Sequence, residues 1–437
     1  MPGSTESAPG VDDSRGPLSG LWVVEISSFV AAPLGGMTLA QLGAQVIRVD
    51  PIGGAADRDR WPVTSSGASL YWAGLNKGKR SLVADLRSET GRGLIRDLVA
   101  GLAPGTGVVL TNSAGRGGLA ADDLTAVCPD LIHVEILGRP DGSPAVDYTV
   151  NAGLGFPSIT GPDGWSGPVN HVLPAWDVAC GLYAAVGICA AALRRSTTGA
   201  GERIRLALSD VALATAGNLG LLAEAQVNGV DRPRVGNHMY GSFARDFACA
   251  DGGRIMVVAL TQRHWRDLVA LTDIANLVSA LEAALSVDFS LEADRYTHRE
   301  VLADLVQAWF SRHDADAAAA GLAKTSVLWE RYRTFTDVVA DLTAGSEPAD
   351  WDHDRAMMRS LDQPGIGQYL APASPLDLIS TRRAPQPAPL LGEHTVELLR
   401  ERLSMDPEVI AVLCRDGVVF DGSERSKGIR DAPTCDH

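Results

Sequence analysis

The sequence predicts an α/β protein in which a parallel sheet flanked by helices is joined to a smaller α+β domain of different character. Three observations predict it. Short apolar runs alternate with helical periodicities from Leu21 to about Ile136, and strand, helix, strand in that order favours parallel pairing. A long stretch rich in Gly and Pro, Arg139 to Ala175, interrupts this regularity just before the most apolar helix of the chain. Beyond a turn-rich link at Asn228 to Gly241, the composition shifts to helical segments rich in Ala, Leu and Asp.

Leu21 to Ile26 reads as a short buried strand, Pro33 to Leu42 as a helix, and Gln45 to Val49 as the second strand. A loop of Gly, Asp and Arg spans Pro51 to Arg60. The segment Asn76 to Asp85 then brings Lys77, Lys79 and Arg80 together and carries a strand from Ser81 to Leu86. Helical spacing follows over Glu89 to Ala100, and Val108 to Leu110 and Leu131 to Ile136 read as further parallel strands. The apolar run Val178 to Leu193 ends at Arg194 and Arg195. It falls slightly short of the ~20 residues that span a bilayer, so it reads as a core helix and no membrane is expected. A Gly-rich turn at Thr198 to Gly201 leads to a strand at Arg203 to Leu208, and Asp210 opens another helix. Asp246 to Leu260 reads as a hairpin around Asp251, Gly252 and Gly253, with helices from Gln262 to Val339. The extended Ala384 to Pro389 and a helix from Thr395 to Leu403 return the chain to the first domain. The expected organisation is a disordered start (1–16), the first part of the large domain (17–229), a small domain (230–335), a return to the large domain (336–422) and a mobile tail (423–437).

A chain of 437 residues exceeds what one small core needs, and about 100–200 residues per domain suggests two to three. With 46% hydrophobic and 21% charged residues it has the balance of a soluble globular protein. A formal charge of -15 argues against nucleic acid as a partner, because phosphates are neutralised by clustered Lys and Arg. An anionic coenzyme would have to be held by local cations and helix N-termini. The six cysteines are scattered with no C-x-x-C pair, and the nine histidines form no ligand spacing, so no metal is expected. The first sixteen residues lack a basic or apolar region, which points to a reducing cytoplasm.

Asp177 stands between the irregular stretch and the apolar helix, in Leu173-Pro174-Ala175-Trp176-Asp177-Val178-Ala179-Cys180-Gly181. Its ordinary reading is a helix N-cap, worth about 1 kcal/mol. The alternative is a nucleophile presented to a thioester between dry walls. Lys77, Lys79 and Arg80 read either as a solvated face or as a grip on nucleotide phosphates, with Arg58 and Arg60 beside them. No G-x-G-x-x-G follows the first strand and no G-x-S-x-G elbow occurs, which removes the dinucleotide and serine-hydrolase readings. His171, in the same loop as Asp177, reads as a loop hydrogen-bonding residue or a general base.

At these residues the chain resembles the class III CoA-transferases. The matching pieces are Ala32-Pro33 with Leu39 to Val49; Leu75 to Ser81 with Asp85-Leu86; Asp177 with Gly181 and Ala184-Ala185; Thr198 to Glu202; and Leu391 to Thr395. Five pieces in the family's order make the resemblance specific. It implies a large Rossmann-like domain, a small second domain and an interlocked homodimer. It implies that Asp177 is the catalytic carboxylate, passing through a mixed anhydride and an aspartyl-CoA thioester. Asn76, Lys77, Lys79 and Arg80, with Arg58, Val30 and Ala31, fall at CoA-binding positions. CoA would enter as part of the substrate, with no permanently bound cofactor. Val146 stands where the family's α-methylacyl-CoA racemases carry a histidine, and valine moves no proton. Val30 stands near a glutamine of the formyl-CoA transferases. The stretches Val146 to Asn151, Pro168 to Asp177 and Gly236 to Gly241 resemble most the mesaconyl-CoA branch, whose members move CoA between the two carboxyls of one methylfumaryl unit. Asn151, Asn170, His171, Asn237 and Arg245 are the candidates for holding the free carboxylate. An intermolecular CoA-transferase for a dicarboxylic acid is the first competitor, a non-catalytic acyl-CoA-binding protein is the second, and an α-methylacyl-CoA racemase is a weaker third.

Overall fold

The computed structural model describes residues 16–113, 115, 117–344, 356–378 and 383–422. The expectations for the first fifteen residues and for 423–437 lie outside the described residues. The described chain forms two compact units. One comprises 16–154, 172–219 and 356–422; the other comprises 155–171 and 220–344.

The first unit is built on six strands: β1 (Trp22–Ile26), β2 (Gln45–Asp50), β3 (Arg80–Val83), β4 (Gly107–Thr111), β5 (Ile132–Leu137) and β6 (Glu202–Ala207). They pair in the order β3-β2-β1-β4-β5-β6, every pair parallel. All five residues of β4 are buried, as a central strand covered on both faces must be. The helices are α1 (Ala31–Gln41), α2 (Leu70–Leu75), α3 (Glu89–Ala100), α4 (Ala121–Val127), α5 (Asp147–Ala152), α7 (Ala175–Thr198) and α8 (Leu208–Asn218), with the short α6 (Phe156–Ile159) in the second unit. Ser88 caps α3 by accepting from the Gly91 amide, and Leu94, Ile95 and Leu98 on its inner face pack against Val24, Ile47, Val49 and Val109 of the sheet. The strand order reverses between β1 and β4, so the crevice beyond their carboxyl ends is where this topology places ligands.

The long irregular stretch thus holds two short helices, α5 and α6, that lack the apolar repeat of a longer helix. The return segment closes the β3 edge: His394 N–H donates to the Ser81 carbonyl, the Val83 amide donates to Thr395 Oγ1, and Phe420 N–H donates to the Val83 carbonyl. Covering an edge removes a template for unwanted strand pairing. A hairpin at Met358–Gln363 and Gly367–Pro372 precedes that return; its polar residues leave no clean period-2 signal in the sequence.

α7 is amphipathic in burial rather than wholly internal. Trp176, Cys180, Gly181, Ala184, Ala185 and Ile188 are buried, whereas Leu182, Tyr183, Val186 and Leu193 are exposed. Its inner face lies directly on α1, and the approach is backbone to backbone. A Cβ on Gly181 would come within 2.5 Å of the Ala31 carbonyl oxygen, and one on Gly35 within 3.0 Å of the Gly181 carbonyl.

In the second unit, β7 (Phe243–Ala248), β8 (Arg254–Ala259) and β9 (Leu328–Arg331) form an antiparallel sheet in that order. Phe247 stacks on Phe310 at 4.9 Å between centroids, and Phe243 meets Trp265 edge-on at 5.1 Å. These rings centre a core that the helices from Gln262 onward supply.

Gly181→Ala tests the close approach. The added methyl has to push α7 off α1, and unfolding in urea should show a loss of about 1–3 kcal/mol, together with a fall in any activity that depends on the first turns of both helices.

Candidate active site

The turn from β1 into α1 sits at the strand-order reversal, and two side chains from other elements strap it down. Asn112, just past β4, accepts from the Ser28 amide at 3.1 Å and donates to the Ser28 carbonyl at 2.7 Å. Asp57 accepts from the Phe29 amide at 3.0 Å. Phe29 has φ of +66°, a left-handed conformation that a bulky residue adopts only when its surroundings impose it. Val30 and Ala31 follow, both buried, with α1 beginning at Ala31.

Asp57 is held in turn by a buried charge cluster at the carboxyl ends of β1 and β2 and the segment that leads into β3. Arg48 donates to Asp57 at 2.9 Å, to Asp50 at 3.1 Å, to the Asn76 side-chain oxygen at 3.1 Å and to the Ser27 carbonyl at 3.2 Å. Its guanidinium also lies 5.7 Å from the Trp72 ring centroid. Lys79 donates to Glu25 at 2.9 Å, to the Pro33 carbonyl at 2.9 Å and to Asn76 at 2.8 Å. A buried charge needs such partners, since removing one leaves the other uncompensated at a cost of several kcal/mol. Glu25 fits only because Gly36 has no side chain: a Cβ there would overlap its carboxylate.

The cations expected at the coenzyme therefore have individual fates. Asn76 and Lys79 are interior members of this cluster. The Lys77 amine is buried and donates to the Gly74 carbonyl, and burial lowers its pKa to about 8. Arg80 pairs with Glu397 at 2.7 Å and Glu401 at 2.9 Å on the helix Thr395–Leu403. Arg58 donates to the Gly53 carbonyl and lines a cavity of about 380 Å³ with Ser69, Trp72, Ile366 and Leu390. The run of charges in the sequence carries no sign of these inward partners, because they come from β1, β2 and the far end of the chain.

Asp177 is in the first turn of α7 and is not its cap; the N-cap position is Pro174, without a side-chain bond. The capping oxygen comes from a residue that the sequence reading placed in the loop without a role. Asp147, at the start of α5 and 2% exposed, accepts from the Trp176 amide at 2.7 Å and from the Asp177 amide at 3.2 Å. Asn151 accepts from the Trp176 indole at 3.2 Å, so this candidate for substrate binding holds the residue beside Asp177. Asp147 and Asn151 stand one helical turn apart on α5, a spacing that puts both on one face and was the available signal of their shared task.

The charges of Asp147 and Arg60 act on the Asp177 carboxyl, and the charge of Asp177 acts on Tyr71 and Cys180. Burial, then the charge of Asp147, push the pKa of Asp177 up to about 6, against a smaller opposing pull from Arg60. The Tyr71 hydroxyl is pushed up to about 12 by burial, in part by Asp177, and the Cys180 thiol likewise to about 12. The Arg60 guanidinium lies 5.5 Å from the Phe29 ring centroid and 5.3 Å from that of Tyr71, a double aromatic contact that restrains its direction. A carboxylate of raised pKa is more basic than an ordinary one yet is ionised at neutral pH, which suits a nucleophile.

The remaining substrate candidates belong to the second unit. Asn170 and His171 lie on its segment 155–171. Asn237 donates to Asp246 at 2.9 Å, Asp246 accepts from Arg254, and Arg245 pairs with Glu300 at 3.5 Å.

Comparison with known proteins agrees with this architecture. The model of CoA-transferase family III matches residues 18–395. The 2-methylfumaryl-CoA isomerase of Chloroflexus aurantiacus is 46% identical over 93% of this chain and 98% of its own length. The succinyl-CoA:mesaconate CoA-transferase of Haloarcula hispanica is 29% identical over 88% of this chain and 96% of its own. A crystal structure of a CAIB/BAIF family protein from Brucella suis superimposes with a TM-score of 0.73 at 26% identity, covering 89% of this chain and all of that one. The chain belongs to CoA-transferase family III. It is an enzyme of acyl-CoA thioester chemistry, as the five sequence pieces implied.

The raised pKa of Asp177 has a consequence for stability. Ionising a carboxyl whose folded pKa exceeds the ordinary value of 3.8 weakens the fold, so the loss is absent below about pH 4 and complete above about pH 6. Asp177→Asn should therefore be more stable than the parent at pH 8 by up to about 2 kcal/mol, after discounting for partial exposure. Thermal unfolding at pH 8 and pH 4 checks this, with the advantage expected to vanish at the lower pH.

Proposed function

We propose that this enzyme moves CoA between the two carboxyl groups of one mesaconyl (2-methylfumaryl) unit, through covalent intermediates on Asp177. The likeness to the Chloroflexus aurantiacus isomerase, 46% identical over nearly the whole of both chains, is the observation that carries this reading. The setting of Asp177 supports the mechanism: a carboxylate near the carboxyl ends of a Rossmann-like sheet, partly buried and made more basic by its surroundings.

In the first step an Asp177 oxygen attacks the C1 thioester carbonyl and the C–S bond breaks, giving a mixed anhydride and CoA thiolate. The thiolate attacks the aspartyl carbonyl, which leaves an aspartyl-CoA thioester and frees the C1 carboxylate. The C4 carboxylate then attacks that thioester, releasing thiolate again, and the thiolate takes the C4 acyl group and returns Asp177 to a carboxylate. No atom is gained or lost. Keeping the dicarboxylate in place supplies the proximity that a bimolecular transfer lacks. CoA enters and leaves as part of substrate and product. Arg60, steered by Phe29 and Tyr71, is the cation near Asp177 suited to the free carboxylate. Arg58, which lines its cavity, is suited to the nucleotide end.

Two further readings accompany this one. A homodimer is supported by the exposed apolar face of α7, where Leu182, Tyr183, Val186 and Leu193 stand open to solvent. A reducing, cytoplasmic setting is supported by the free thiols of Cys128, Cys180, Cys189, Cys249 and Cys414.

Purified enzyme given one mesaconyl-CoA isomer and no free acid should produce the other isomer. Hydroxylamine should trap a modification on Asp177 by mass spectrometry, and Asp177→Ala should lose at least about a thousandfold in turnover. A strict need for added dicarboxylic acid would replace this reading with intermolecular transfer, and full activity of Asp177→Ala would end it. For the dimer, light scattering should give twice the chain mass, and Val186→Glu should shift it toward the monomer.

A further inference from the structure

All four amides of the first turn of α7 are donated away from the Asp177 carboxylate. The Ala175 amide goes to the Leu173 carbonyl, the Val178 amide to the Pro174 carbonyl, and those of Trp176 and Asp177 to Asp147. A helix N-terminus ordinarily stabilises a carboxylate in its first turn. Here that stabilisation is directed to a second carboxylate, which reaches the turn from α5.

We propose that Asp147 is a positioning residue for Asp177: its Oδ2 fixes the first turn of α7 from outside, and its charge beside the Asp177 carboxylate favours the steps in which that carboxylate gives up its charge. The inference rests on the reading of Asp177 as nucleophile. When Asp177 attacks a thioester, its negative charge leaves on the CoA thiolate, and the repulsion with Asp147 is relieved in the mixed anhydride. The same relief operates in the aspartyl-CoA thioester. Interactions of this kind, worse in the ground state than along the reaction, raise kcat more than they change KM. The other groups facing Asp177 bear on the same charge. Arg60 opposes Asp147, while Tyr71 and Cys180 are held protonated at neutral pH. Asp57, which also raises Tyr71, is neutralised by Arg48. Val146, in the preceding position, is 59% exposed and carries no proton, so the pair differs from a two-base site.

Asp147→Asn separates the two roles, because an amide oxygen still accepts from both backbone N–H groups while the charge is gone. In the full-length enzyme, infrared difference titration of the Asp177 carboxyl, taken against Asp177→Asn, should show its midpoint falling by about one pH unit in Asp147→Asn. The acid limb of kcat/KM should move down with it, and the plateau kcat should fall roughly tenfold with KM little changed. Asp147→Ala, which also removes the acceptor, should lose more activity and some thermal stability. An unmoved titration midpoint in Asp147→Asn overturns the inference and leaves Asp147 a cap only. A midpoint that moves while turnover stays at the parent level overturns the proposed effect of the charge on rate, whereas full turnover by Asp177→Ala overturns the reading of Asp177 as nucleophile on which the inference rests.

Discussion

The closeness of α1 and α7 is the constraint on which the site depends. With glycine at 35 and 181, the two backbones meet through carbonyl contacts that no side chain intervenes to cushion. Asp177 lies one turn before Gly181, so this contact places it level with the start of α1, where the β1–α1 turn emerges at the reversal of strand order. A larger residue at either glycine would separate the helix that carries Asp177 from the β1–α1 turn.

The buried charge cluster below that turn is the second requirement. Arg48, Lys79, Glu25, Asp50, Asp57 and Asn76 join three strand ends to the loop that carries Arg60. Through Asp57 the cluster reaches the Phe29 amide and holds the left-handed turn. Such a cluster adds little net stability compared with apolar packing, but it admits few alternative arrangements. Its value here is the direction that it imposes on loop residues near Asp177. Asn76 and Lys79, in the run that marks the family in the sequence, are members of this cluster, and the motif Leu391 to Thr395 seals the β3 edge.

Electrostatics near Asp177 follow from the same geometry. Burial and the charge of Asp147 work against its ionised form, at a helix start whose amides are occupied, and Arg60 works for it. This balance leaves a carboxylate that is charged at neutral pH but gives up its charge readily, the property that acyl transfer through an aspartyl anhydride requires. Stability is forgone in exchange, as is common where a fold hosts chemistry.

The order of strands and helices through the sheet was legible from the sequence, because alternating short apolar runs and helical periodicity are local properties. The single carboxylate before the apolar helix and its family were legible too, since five ordered motifs survive without any knowledge of contacts. The hairpin at 358–372, the two short helices in the Gly- and Pro-rich stretch and the exposed face of α7 were not, as each is settled by what packs against it. The same holds at the site. Nothing local distinguishes Lys79, which is internal, from Arg58, which lines a cavity. Nothing local tells that Asp147 caps a helix beginning almost thirty residues later. Sequence determines which groups the chain carries and in what rhythm, whereas burial and charge pairing are properties of elements brought together, and only the tertiary structure decides them.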